Sequence, residues 1–203
     1  MIEQVSKGVV GFIGLGTMGR EMARNLVRSG FAVRGYDVRE EASAEVATHG
    51  ATAVRSIAEA ARGADAVITM LPNTPHVESV LFDADGLLAA PPPGRLIIDM
   101  STISPNAVRR MHAACAKAGL EFLDAPVSGG PPGARDATLT IMAGGAAKAF
   151  ERAKPFLAAM GTTVTHVGAA GAGQTVKLCN QLGSGLIDHR QKMTAAAMQI
   201  AEK

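Results

Sequence analysis

Tryptophan is absent from this 203-residue sequence, tyrosine occurs once and phenylalanine six times. A core with so few rings is filled by aliphatic side chains, and the ten methionines are read as gap-fillers within it rather than as a special surface. Cysteine is nearly missing too. Cys115 and Cys179 stand far apart in no Cys-x-x-Cys or Cys/His spacing, which signals neither zinc nor a disulfide framework and fits a reducing cytoplasm. The five histidines are scattered without ligand spacing, so no metal is expected; His76 alone lies near a segment of interest. An excess of one charge is also lacking. Twenty Lys and Arg stand against 18 Asp and Glu with no basic run, which makes nucleic acid a poor candidate partner. No apolar run approaches the length of a membrane span. The N-terminus "MIEQVSKGVVGFIGLG" enters an apolar strand almost at once, so neither a membrane segment nor a targeting segment is expected.

What is present is the composition of an ordinary globular protein, 47% apolar and 19% charged. Its length allows one good-sized core, or one domain and part of another. Short apolar runs alternate with helix-period stretches: "GVVGFIG" (8–14) then 17–29, "AVRGYD" (32–37) then 40–48, "DAVITML" (65–71) then 75–82, "RLIIDM" (95–100) then 104–118. Runs so apolar, joined by helices, imply buried parallel strands and an α/β, doubly wound, Rossmann-type sheet. "LEFLDAPVS" (120–128), "TLTIMAGG" (138–145) and "TVTHVG" (163–168) add three strands around a helix at 147–159. "PPPG" at 91–94 and "GGPPG" at 129–133 read as local turns. Beyond Gly168 no strand-like run occurs and the pattern is helical to the last residue, with Gly183 and Gly185 marking a kink or break. The expected division is 1–168 as one α/β domain and 169–203 as a helical segment.

The first chemical motif is Gly14-x-Gly16-x-x-Gly19, set between a strand and a helix. In that context the glycines make a tight turn, allow the backbone to approach a pyrophosphate, and pack helix against strand, so that helix N-terminal amides face two phosphates. Asp37 ends the second strand 23 residues after Gly14, where an acid accepts the adenosine ribose hydroxyls. The spacing from Asp37 to Glu40 also allows a simple helix cap. An acid at 37 repels a 2′-phosphate, which favours NAD over NADP, and Arg39 softens that preference. A second motif, "DAPVSGGPPGA" (124–134), combines a hydroxyl with open glycine amides and suits a carboxylate or alkoxide; alone it reads first as a plain glycine-proline turn. Lys177 sits in the otherwise uncharged "GAGQTVKLCNQ" (171–181), and a lone helical lysine is ordinarily a solvated charge.

Six blocks, "GFIGLGTMGREMARNL" (11–26), "MLPNTPHVESVLF" (70–82), "IDMSTISP" (98–105), "FLDAPVSGGPPGA" (122–134), "LTIMAGG" (139–145) and "GAGQTVKLCNQ" (171–181), together resemble the β-hydroxyacid dehydrogenases, in that family's order. The resemblance implies an NAD-dependent oxidoreductase interconverting a small 3-hydroxy acid and its semialdehyde. It places Gly14, Leu15, Gly16, Thr17 and Met18 along the pyrophosphate, Asp37 at the ribose, Leu71, Pro72 and Asn73 at the cofactor edge, and Thr102 on the nicotinamide side. Ser128, Gly129, Gly130, Asn180 and Gln181 are implied substrate contacts, and Lys177 the catalytic acid/base. On a helix, positions 177, 180 and 181 share one face.

Three departures from the family pattern qualify this reading. Asp136-Ala137 stands where a residue followed by glycine is common, the segment from Gly183 onward is more polar and broken than expected, and no counterpart of the helical domain that follows in the family is expected within these 203 residues. The expectation is a chain that binds NAD, forms a homo-oligomer through 169–203, and turns over weakly unless a partner completes the cleft. A 6-phosphogluconate dehydrogenase-like decarboxylating enzyme ranks lower, because "KLCNQ" lacks the histidine that usually precedes the asparagine there. The non-enzymatic alternative is an NAD-binding or oligomerisation module.

Overall fold

The computed structural model describes residues 7–89 and 95–183. The turn at 91–94 and the segment 184–203 lie outside them, including the end of the expected helical stretch and Gly185. Four strands, β1 (Val9–Ile13), β2 (Ala32–Tyr36), β4 (Ala66–Thr69) and β5 (Leu96–Asp99), arise from the apolar runs read in the sequence. Helices α1 (Gly19–Arg28), α2 (Glu40–Ala47), α4 (Thr74–Phe82) and α5 (Pro105–Lys117) connect or follow them. The first half also holds β3 (Thr52–Ala53) and α3 (Ile57–Ala61). The second half contains β6 (Glu121–Asp124), β7 (Val127–Ser128), α6 (Gly130–Arg135), β8 (Leu139–Gly144), α7 (Ala147–Ala158) and β9 (Gly161–Gly168). A last helix, α8, covers 172–183.

The sheet runs β3-β2-β1-β4-β5-β6-β8-β7, with β9 paired to β8. From β3 to β6 every pairing is parallel, and the central strands β1, β4 and β5 are buried on both faces. The sheet then changes direction: β8 meets β6 antiparallel through the single register pair Asp124↔Gly144. It pairs antiparallel with β7 and parallel with β9. The result is a mostly parallel, Rossmann-type α/β sheet.

Strand alternation feeds two cores. Val10, Phe12, Ile68, Ile98 and Leu123 pack on one face with Leu26 of α1 and Phe150 of α7. Ile13, Val67, Ile97 and Phe122 pack on the other with Val77 of α4 and Met111 of α5. Truncating a fully buried ring such as Phe12 to alanine costs about 3–5 kcal/mol at such a site. Helix starts follow local chemistry. Ser56 accepts from the Glu59 amide at 3.1 Å and Asn73 from the His76 amide at 3.3 Å, while Pro105 opens α5.

The structure differs from the sequence reading in several elements. The run 120–128 divides into β6 and β7, with Ala125 and Pro126 between them. The segment read as a glycine-proline turn at 129–133 is instead the start of α6, because prolines in a first helical turn remove only amides that have no intrahelical partner. The short β3 and α3 span too few residues to show a period. One buried bond ties α6 to the first helix: Asn25 Nδ2 donates to the Ala134 carbonyl at 2.6 Å.

Candidate functional site

The turn after β1 is set by three glycines with separate constraints. Gly14 has φ +93°, and a Cβ there would lie 2.4 Å from the Met70 carbonyl. At Gly19 a Cβ would lie 1.9 Å from the Gly14 carbonyl, so α1 can approach the turn only as glycine. Around Gly16 nothing lies within 4 Å of the Cβ position. That open space fits a ligand phosphate at a helix N-terminus. Gly14, Gly16, Thr17, Met18, Asp37, Leu71 and Pro72 line one cavity of about 580 Å³, which also takes in His76 and the apolar side chains of Ile57 and Val80.

Leu15 is buried and contributes through its backbone: its amide donates to Asp37 Oδ2 at 2.7 Å. Asp37 Oδ1 accepts from the Arg39 amide at 3.0 Å and from Arg39 Nε at 3.2 Å. Partial burial raises the Asp37 pKa, but the bonds from the Arg39 and Leu15 amides and the Arg39 guanidinium outweigh it and hold the carboxyl below its usual value. Arg39, not Asp37, occupies the cap position of α2. Asp37 therefore keeps a charged, oriented carboxylate at the cavity edge.

Asn73 caps α4, and its Oδ1 lies 2.5 Å from His76 Nδ1; Thr102 is exposed. Neither lines the cavity. Next to Thr102, Ser101 Oγ accepts from the Leu71 amide at 2.9 Å, which joins the loop after β5 to the cavity wall.

On the other side of the sheet junction, Gly129 (φ +128°) and Gly130 (φ +59°) adopt conformations that favour glycine and open α6 behind Ser128. Asn180 Nδ2 donates to Ser128 Oγ at 3.3 Å, so α8 and the β7–α6 turn meet at two of the sequence-selected residues. Gln181 is exposed. Lys177 differs from a solvated surface lysine: it is 8% exposed. Among the described residues it makes no ion pair, and burial lowers its pKa. Asn180 and Gln181 share its side of α8 by spacing but stand in solvent.

Three polar residues escaped the sequence reading. Asp99, Asp124 and Gln174 are all fully buried. Asp124 closes the N-terminus of α8 by accepting from the amides of Gly171 (2.8 Å) and Gln174 (3.0 Å). A single carboxylate at the end of an apolar strand carries no periodic signal. The available hint is chemical: "FLDAP" and "IDMST" end matching strands in acids.

A glycine turn between strand and helix, an acid directly after the second strand and a cavity at the switch from β1 to β4 define a dinucleotide-binding α/β domain. The chain belongs to the family of the NAD binding domain of 6-phosphogluconate dehydrogenase, whose model matches residues 9–168. NAD, the cofactor expected from the motif, is the one named in this family's description.

The chain is 48% identical over 171 residues to the NAD-dependent L-serine dehydrogenase of Pseudomonas aeruginosa, covering 84% of this chain and 57% of that protein. It is 44% identical over 194 residues to the 3-hydroxyisobutyrate dehydrogenase of the same organism, covering 96% and 64%. The solved structure of Mycobacterium tuberculosis 3-hydroxyisobutyrate dehydrogenase with L-serine superposes with a TM-score of 0.80 at 45% identity, covering 85% of this chain and 58% of that one. The chain thus spans about three-fifths of the length of these curated relatives. No helix among the described residues is long and apolar enough to cross a membrane.

Proposed function

We propose that this chain is the cofactor-binding part of an NAD-dependent oxidoreductase that interconverts a small 3-hydroxy acid and its semialdehyde, with Lys177 as general acid/base. One observation carries the reading: a buried lysine of lowered pKa, without an ion pair among the described residues, stands one turn before Asn180, which holds the Ser128 hydroxyl. The names of the relatives support the substrate class, since L-serine and 3-hydroxyisobutyrate are both 3-hydroxy carboxylates.

Bound NAD supplies the hydride acceptor. Gly14, Leu15, Gly16, Thr17 and Met18 present backbone to the pyrophosphate, and Asp37 accepts from the ribose hydroxyls. Leu71, Pro72, Asn73 and Thr102 edge the cofactor. Ser128 and the Gly129 and Gly130 amides orient the substrate carboxylate, assisted by Asn180 and Gln181. In oxidation the neutral Lys177 amine takes the hydroxyl proton; in reduction the ammonium returns it and stabilises charge on oxygen. Desolvation favours the neutral amine, which suits the oxidative direction near neutral pH.

The test is NADH formation from NAD with 3-hydroxyisobutyrate, L-serine and glycerate. The chain is compared with Lys177→Ala, for which a loss of about 10²- to 10⁴-fold is expected. Equal turnover in both proteins overturns the lysine assignment. We further place residues 1–168 as the NAD-binding domain and 169–203 as an interdomain helix and the start of a helical region. In this reading, 169–203 joins copies of the chain into a homo-oligomer in the cytoplasm. The exposed Val176, Leu178 and Leu182 of α8 support such a contact. A monomer by light scattering removes it.

A further inference from the structure

Gln174 is a buried side chain with both ends of its amide used. Its Nε2 donates to the Ser101 carbonyl at 2.7 Å, and its Oε1 accepts from the Ile103 amide at 3.1 Å. Only one orientation of the amide satisfies a carbonyl and an N–H together, so its geometry is unambiguous. The two backbone groups flank Thr102. The side chain therefore grips the loop after β5 on both sides of one residue, as a neighbouring strand would.

The other end of Gln174 is equally fixed. Its own amide donates to Asp124 Oδ2 at 3.0 Å, while Gly171 donates to Oδ1 at 2.8 Å. A carboxylate at a helix N-terminus satisfies free amides and complements the helix dipole. There is no slack behind this joint, because a Cβ at Gly173 would lie 2.4 Å from the Met142 carbonyl and 2.8 Å from Asp124 Oδ2. Lys177 follows Gln174 by three residues, on the same face of α8. In the opposite direction, the Leu71 amide donates to Ser101 Oγ at 2.9 Å, and Leu71 lines the cofactor cavity. A continuous set of buried or half-buried bonds thus runs from the cavity wall through Ser101 and Gln174 to the helix that carries the lysine.

We propose that Gln174 is a positioning residue that registers the Thr102 loop against Lys177, so that the hydride-transfer and proton-transfer sites are held at one spacing. This rests on the reading of Thr102 as facing the nicotinamide and Lys177 as the acid/base. Removing the amide while keeping the volume leaves the Ser101 carbonyl and Ile103 amide unpaired and lets the loop and α8 move independently.

The experiment compares the 203-residue chain with Gln174→Met by amide hydrogen exchange, by the labelling rate of Lys177 with an amine-reactive reagent, and by steady-state kinetics. Ile103 is expected to exchange about tenfold faster, the worth of one lost buried bond. The Lys177 labelling rate is expected to change by a similar factor relative to the other lysines. In turnover kcat falls about tenfold while KM for NAD stays within about twofold. Parental exchange at Ile103 with parental Lys177 labelling overturns the proposal. So does a uniform rise in exchange over the whole chain, which marks a purely structural role. Should Gln174→Met fail to fold, Gln174→Glu keeps an acceptor for Ile103 but offers no donor to Ser101. There a parental labelling rate at Lys177 is the overturning result. The functional reading fails separately, through turnover that survives Lys177→Ala, and that outcome leaves the exchange and labelling results to decide the clamp.

Discussion

Asp99 and Asp124 are register partners on the adjacent parallel strands β5 and β6, and both are fully buried. Their surroundings differ. Both oxygens of Asp124 accept amides from the start of α8. Asp99 Oδ1 accepts from the Thr69 hydroxyl at 2.8 Å and the Ser101 amide at 3.2 Å, while its Oδ2 has no partner among the described residues. Burial pushes the Asp99 carboxyl up to about 6; bonds from Ser101 and Thr69 oppose this, and the Asp124 charge adds to it.

A pH dependence of stability follows. The folded-state pKa of Asp99 lies above its ordinary value of 3.8, so the native state binds this proton more tightly than the unfolded chain. The contribution of Asp99 to stability is therefore expected to fall as pH rises from about 4 through about 6, by about 3 kcal/mol. Asp99→Asn retains the Oδ1 acceptor and removes the charge. Urea unfolding across this range is expected to show a flatter profile for the variant; parallel profiles contradict the assignment.

Ala137 is the one non-glycine with positive φ among the described residues, at +55°. It lies in the turn where the family resemblance leads one to expect glycine. The left-handed conformation costs alanine about 1–2 kcal/mol, partly balanced by the extra unfolded-state entropy of glycine. Ala137→Gly is expected to stabilise the chain by about 1 kcal/mol, read as a raised thermal midpoint. A lowered midpoint would mean that the turn is not strained.

Gly16 and Gly19 separate binding from folding. A methyl at 16 enters open space, whereas at 19 it collides with the Gly14 carbonyl. Gly16→Ala is expected to fold normally and bind NAD about tenfold more weakly by calorimetry. Gly19→Ala is expected to lose several kcal/mol of stability, of the order of an overpacked core site. Undiminished NAD affinity in a folded Gly16→Ala would remove the phosphate from that turn.

Arg39 shares the Asp37 carboxylate and is itself 62% exposed at the side chain, so it is free to turn outward. Asp37→Asn removes the repulsion toward a 2′-phosphate and releases Arg39. The ratio of NAD to NADP affinity is expected to fall by about tenfold or more. An unchanged ratio would place the discrimination elsewhere.

The sequence made the first half of the fold easy to read because β1, β4 and β5 are buried on both faces and each glycine of the turn has a distinct steric duty. Gly14, Gly16 and Asp37 were legible through spacing alone. Lys177 was not, since a helical lysine looks the same whether its helix faces solvent or a cleft; only the surrounding blocks drew notice to it. Gln174 and Asp124 stayed hidden for another reason. Their importance lies in bonds to Ser101 and Gly171, over sequence separations of 73 and 47 residues, and no local pattern records such pairings. The short α6 was masked by its own prolines, which read as a turn until their place in the first helical turn is known.

The bond from Asn25 to Ala134 has a bearing on how the chain is made. Its partners are 109 residues apart, and the bond is buried. While the ribosome is still producing the middle of the sheet, the Asn25 amide has only water to bond. The face of α1 that meets α6 also remains wet. The packing of α1 against α6 is therefore completed only once the strand-and-helix turn that begins at Ser128 is in place. Long-range closures of this kind slow folding, because loop entropy is spent before the contact returns anything.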